Sequence, residues 1–167
     1  MTGVPQGGPL SVVLSNVYLD KLDKELEQRG LRFARYADDT MVFTKSEMAA
    51  NRVMKSITDW IERKLFLKVN ATKTKVVRPT RSKYLGITFL KKGSEWKVKP
   101  TTEKKKKLKQ KVSEYLKRNK AIARPLAETI KRVNEIAGGW INYFRIGMMK
   151  RFMDDFGKWL RHKIRVI

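Results

Sequence analysis

The sequence has no cysteine and a single histidine, His162, among its 167 residues. Disulfide scaffolds and thiolate zinc sites are thereby excluded, and histidine-based triads or metal centres have too little material. His162 is expected as a solvated position on a basic helix. No apolar run approaches the ~20 residues that span a bilayer, and no apolar stretch follows a basic start as it would in a signal peptide. A cytoplasmic protein with no membrane partner is expected. Acidic residues are also scarce, 16 Asp+Glu against 39 Lys+Arg, for a formal net charge of +23. Self-repulsion on that scale is relieved by a polyanion, of which nucleic acid is the usual one. A basic protein of ribosomal type, or a surplus of solubilising charge, is the plainer alternative.

The remaining composition, 41% hydrophobic, can build one ordinary core or two small ones. Periodicity divides the chain. Residues 10–29 read as a helix with Leu10, Val13, Leu14, Val17, Leu19, Leu22 and Leu26 on its apolar stripe, stopped by Gly30. Residues 31–36 and 41–44 are short aromatic and β-branched runs around Ala37-Asp38-Asp39-Thr40, which predicts a hairpin with acids at its tip. Ser46 caps a helix to about Leu65, short strands are expected at 67–69 and 76–77, and a hairpin over Lys92-Gly93-Ser94 joins 83–90 to 95–99. Three amphipathic helices follow, over about 101–118, 125–144 and 148–164, and predict a small bundle. Charge divides similarly: residues 1–90 hold 16 basic and 9 acidic side chains, net +7, and residues 91–167 hold 23 and 7, net +16. The fold class expected is α+β, a mixed segment over 1–90 and an all-α segment over 91–167.

Two local patterns carry chemistry. Asp38 and Asp39 place like charges side by side, which costs stability unless a cation sits there. Magnesium suits such a pair, because it takes hard oxygen ligands and shares its shell with substrate phosphates. A solvated Asp-Asp turn is the competing reading. The segment Gly3-Val4-Pro5-Gln6-Gly7-Gly8-Pro9 precedes the first helix. Its glycines let backbone amides approach a phosphate at the helix start, although a plain loop would have the same composition.

In order, Gly3-Val4-Pro5-Gln6-Gly7-Gly8-Pro9-Leu10-Ser11, Leu14 to Asp20, Arg35-Tyr36-Ala37-Asp38-Asp39, Leu67 to Asn70 with Lys73-Thr74-Lys75, and Tyr84-Leu85-Gly86-Ile87 resemble the motifs of reverse transcriptases. Gly138-Gly139-Trp140-Ile141-Asn142-Tyr143-Phe144-Arg145 is similar to the maturase-specific, thumb region of group II intron-encoded proteins. The resemblance implies the C-terminal part of a polymerase palm over 1–90, an antiparallel sheet backed by helices. It implies a three-helix thumb or maturase bundle over 91–167.

It also implies roles. Asp38 and Asp39 would be two of three catalytic carboxylates and ligands of Mg2+. Tyr36 and Ala37 would lie near the incoming nucleotide, and Gln6 and Gly7 would line the nucleotide and template site. Lys73 would approach the triphosphate, and Tyr84, Leu85 and Gly86 would form the primer grip. Lys104, Lys105, Lys106, Lys107 and Arg145 would hold nucleic acid. The partners implied are an RNA template with a DNA primer, intron RNA and deoxynucleoside triphosphates. The third carboxylate and the fingers are expected upstream of Gly3, so the 167 residues are expected to be inactive alone. Val12 departs from the family, which usually has proline there. The rival readings are a non-catalytic RNA-binding splicing factor, an inactive mobile-element remnant, and a reverse transcriptase of another lineage.

Overall fold

A computed structural model describes residues 9–166. The described residues form two compact units, divided between Val77 and Arg78. The hairpin expected over 83–99, which spans the division at residue 90, packs wholly within the second unit.

In the first unit, helix α1 (Pro9–Gln28) leads to strands β1 (Arg32–Tyr36) and β2 (Asp39–Phe43), then helix α2 (Glu47–Trp60). Gly30, at φ +65°, ends α1 in a Schellman-type cap, with the Leu31 amide donating to the Leu26 carbonyl at 3.0 Å. The hairpin is antiparallel, with Phe33 opposite Val42 and Tyr36 opposite Asp39. Side chains alternate across it, so Phe33 and Val42 turn inward with Arg35. Leu22, Leu26, Ile57 and Leu65 form the buried core, and Leu31, Phe33, Val42 and Trp60 pack on it. Ser46 caps α2 as predicted, its Oγ accepting from the Ala49 amide at 3.2 Å. The helix then widens into a π-turn, Ile61–Leu65. Phe66, at φ +53°, breaks it, and the Tyr18 hydroxyl donates to the Leu65 carbonyl at 2.6 Å.

Two expectations fail in this unit. The strands expected at 67–69 and 76–77 are absent; those residues are irregular and lie on either side of an Asx turn at Asn70. The stripe on α1 is also only half used: Leu19, Leu22 and Leu26 meet the core, whereas Leu10, Val13, Leu14 and Val17 are more than half exposed. The hairpin and α2 cover only the C-terminal half of α1.

The second unit contains β3 (Ile87–Lys92) and β4 (Glu95–Pro100), an antiparallel hairpin turning on Gly93-Ser94. Helix α3 (Thr102–Tyr115), capped by Thr101, is followed by a single turn, α4 (Arg118–Ala121), and by α5 (Leu126–Phe144) and α6 (Lys150–Arg165). The expected three-helix bundle is α3, α5 and α6. They share one core of Leu108, Val112, Leu116, Val133 and Phe156, with Trp140, Phe152 and Trp159 packed around it. Helix α3 stops at Tyr115, short of the expected Arg118. On α5 the apolar stripe Leu126, Ile130, Val133, Ala137, Ile141 and Phe144 is the expected inward face. Val133, Ala137 and Phe144 do face inward, whereas Leu126 and Ile130 are exposed and Thr129 is buried beside them in sequence. The observed architecture is thus mixed helix and antiparallel sheet, in two separate two-stranded hairpins rather than one larger sheet among the described residues.

Candidate nucleotidyl-transfer turn and nucleic-acid groove

Tyr36 and Asp39 close the first hairpin, so Ala37 and Asp38 are its two loop residues. Such a loop needs a primed turn, whose twist matches the strands. Ala37 supplies the positive φ, +53°, at the first loop position. That conformation suits glycine and strains alanine. Tyr36 is exposed and shares a ladder face with Asp39; Asp38 is exposed at the tip.

The strained turn is held from the opposite face. Arg35 is an inward position on β1, with a side chain only 11% exposed. Its Nε and Nη2 donate to the two carboxylate oxygens of Asp23 at 2.7 and 2.6 Å. Its Nη1 donates to Asn16 Oδ1 and to the Ala37 carbonyl, both at 2.9 Å. Arg35 and Asn16 lie inside the 35–39 and 14–20 motifs, where no role is expected for either from sequence. The available signal was an arginine at a core-facing strand position, where a buried charge requires a partner.

Two exposed carboxylates at a tip are a hard-oxygen donor set that suits part of a magnesium shell and leaves room for water and phosphate oxygens. Among the described residues no group of three acids or histidines gathers to complete a cage. Lys73 is exposed on the Asn70 turn, where Asn70 Oδ1 accepts from the amides of Thr72 and Lys73 at 3.1 Å. Gln6 and Gly7 lie outside the described residues.

In the second unit, Tyr84-Leu85-Gly86-Ile87 forms a tight turn. Tyr84 and Ile87 exchange backbone hydrogen bonds of 3.0 and 2.9 Å, and both central residues have positive φ, +50° at Leu85 and +80° at Gly86. The Tyr143 hydroxyl donates to the Leu85 carbonyl at 3.0 Å, and the Thr101 amide to the Gly86 carbonyl at 2.9 Å. The Lys104 stem crosses Gly86 so closely that a Cβ there would stand 2.6 Å from Lys104 Cε.

A groove of about 520 Å3 runs between α3 and α5, with Lys104, Lys107, Lys111 and Arg132 on its walls and Trp140 and Tyr143 beside them. The spacing 104, 107, 111 puts three ammonium groups on one helix face. Gly139 leaves that wall open, since a Cβ there would meet nothing within 4 Å. Trp140 Nε1 is buried and donates to no protein atom among the described residues. The basic run is therefore not uniform. Lys105 is half-buried, its ammonium 5.2 Å from the Phe152 ring centre, and desolvation followed by the charge of Lys99 lowers its pKa. Lys106 is exposed, and Arg145 caps the C-terminus of α5. Lys111, Arg132 and the Trp140 indole are groove members not singled out from sequence for binding; Lys111 shows its place only once the helix phase is known.

A family model described as reverse transcriptase (RNA-dependent DNA polymerase) matches residues 1–89. The chain belongs to the reverse transcriptase family. A second model, the group II intron maturase-specific domain, matches residues 105–167. The two matches, in this order, are those of a group II intron reverse transcriptase and maturase. Comparison with curated proteins finds no match. No helix among the described residues is long and apolar enough to cross a membrane.

Proposed function

We propose that this reverse transcriptase/maturase chain contributes to magnesium-dependent, RNA-directed DNA synthesis, and that Asp38 and Asp39 are two of its metal-ligating carboxylates. The observation that carries this is the acidic pair at the tip of a clamped, strained hairpin. In the proposed reaction a primer 3′-oxygen attacks the α-phosphorus of a deoxynucleoside triphosphate and pyrophosphate leaves. Bound magnesium would lower the charge on the attacking and leaving oxygens. Asp38 and Asp39 would hold it; Tyr36 and Ala37 would border the nucleotide, with Gln6 and Gly7 near the template. Lys73 would meet the triphosphate and protonate pyrophosphate. The Tyr84-Leu85-Gly86 turn would grip the primer.

The functional division near residue 90 follows these roles: polymerase chemistry before it, RNA contact after it. Lys104 and Lys107, with Lys106 and Arg145, would engage phosphates of the template–primer duplex or of intron RNA. Such contacts position a duplex without reading its sequence. Lys105 would contribute least, because it already sits on Phe152. The exposed apolar face of α1 at Leu10, Val13, Leu14 and Val17 supports a further polymerase segment as its cover. That segment would bring the third carboxylate, whether in a longer chain or a separate one.

Primer extension tests the proposal, with an RNA template and Mg2+. The 167 residues alone should be inactive. Supplying a segment with a third carboxylate should restore synthesis, which Asp38→Asn should then abolish. Extension that survives Asp38→Asn refutes the assignment. Salt-sensitive RNA binding with no extension under any pairing would favour a non-catalytic splicing factor.

A further inference from the structure

We propose that Arg35 is a positioning residue for the acidic turn, a clamp that ties Asp38 and Asp39 to helix α1; its catalytic meaning rests on the metal-ligand reading above. Asn16 and Asp23 are seven residues apart, two helical turns along one face of α1. One guanidinium bonds to both, and also to the carbonyl of Ala37, the strained residue immediately before Asp38. A simple ion pair would need only the fork to Asp23. The third nitrogen adds the link from helix to turn, and two anchors spaced along α1 resist sliding as well as rotation.

The clamp has an electrostatic reason to exist. Asp38 and Asp39 are adjacent like charges, which repel each other. Arg35 restrains the backbone from the inner face of the hairpin, while Asp39 shares the other face with Tyr36. Preorganisation of this kind is what a metal-binding turn requires of its supporting residues. A lysine would keep the charge but lacks the planar fork.

The test uses the 167-residue chain and its Arg35→Lys, Arg35→Ala and Asp23→Asn variants, at a temperature well below each melt. Amide hydrogen exchange is followed by NMR for residues 36–41 and for Leu22 and Leu26 in the core. In Arg35→Lys, exchange in the turn should rise on the order of tenfold while the core amides keep their rates. Mn2+, titrated as the probe, should broaden the Asp38 and Asp39 amides, with affinity falling about tenfold in the variant. Should Arg35→Ala fail to fold, Arg35→Lys and Asp23→Asn still decide. Turn exchange unchanged in both, or rising only in step with the core, overturns the clamp. Absence of Mn2+ broadening in the unaltered chain, persisting when a segment with the third carboxylate is supplied, overturns the metal reading and the catalytic role with it. Broadening that is present and equally tight in every variant overturns the clamp alone.

Discussion

Ala37 and Leu85 occupy left-handed backbone without being glycine, and in each case a side chain donates to the carbonyl: Arg35 to Ala37, Tyr143 to Leu85. Left-handed backbone costs an L-residue about 1–2 kcal/mol, so both turns are maintained by their surroundings. Ala37→Gly should relieve that strain and stabilise the first unit by roughly 0.5–1 kcal/mol after the added chain entropy of glycine. Urea unfolding followed by an amide probe in the hairpin checks it, and a loss of stability contradicts it. Charge at the residue scale gives a pH dependence. Glu103 accepts from Lys83; that hydrogen bond, then the lysine's charge, holds its carboxyl below the ordinary value. A depressed carboxylate contributes stability above its unfolded pKa and loses it as pH falls through the folded one. Glu103→Gln should therefore melt slightly lower than the parent near neutral pH at low salt. The difference should fade as the pH falls below the ordinary carboxylate value and through the depressed one of Glu103. Both groups are exposed, so added salt should shrink the effect.

Elements differ in how much their own periodicity says about them. Helix α1 is one continuous helix with two environments. Leu26 is fully buried and Leu14 is 52% exposed, although both lie on the apolar stripe read from the sequence. Leu26→Ala should cost about 2–5 kcal/mol, as large-to-small changes in packed cores do. Leu14→Ser should stay within about 0.5 kcal/mol in this chain. Chemical denaturation of the two variants side by side separates the halves; equal losses would mean that the N-terminal half is packed as well. Helix α5 shows the same limit in another form. Val133, Ala137 and Phe144 of its stripe face inward, but near its start Thr129 is buried while Ile130 is exposed, because the phase of a helix is set by the neighbour it packs on. The strands expected at 67–69 and 76–77 failed for a related reason. Each is a few residues long, and no neighbouring strand pairs with it among the described residues.

At the scale of the whole molecule the formal charge of +23 is the governing property. RNA binding should weaken steeply with salt, because each phosphate neutralised releases condensed counterions. Replacing Lys104, Lys107 and Lys111 by glutamine should lower the slope of log affinity against log salt by about 2, from ~0.7 per single-strand contact. Lys105→Met should leave that slope unchanged, since its ammonium stands over Phe152. Binding measured at four or five salt concentrations distinguishes the two; equal slopes for all variants would place the RNA elsewhere.

Family, most of the element order, the acidic hairpin tip and the basic helical half were legible from the sequence alone. Each depends on local period, on turn chemistry or on ordered motifs, and these are properties of neighbouring residues. Tertiary structure decided the rest. It placed the packing boundary at Val77–Arg78 and left half of α1 uncovered. It divided the lysines of α3 between a groove and an aromatic core. It joined Arg35 to Asn16, Asp23 and Ala37. Each of these depends on which distant segments meet and at what rotation. A linear pattern does not contain that information, because many phases of one helix satisfy the same period until a partner selects one.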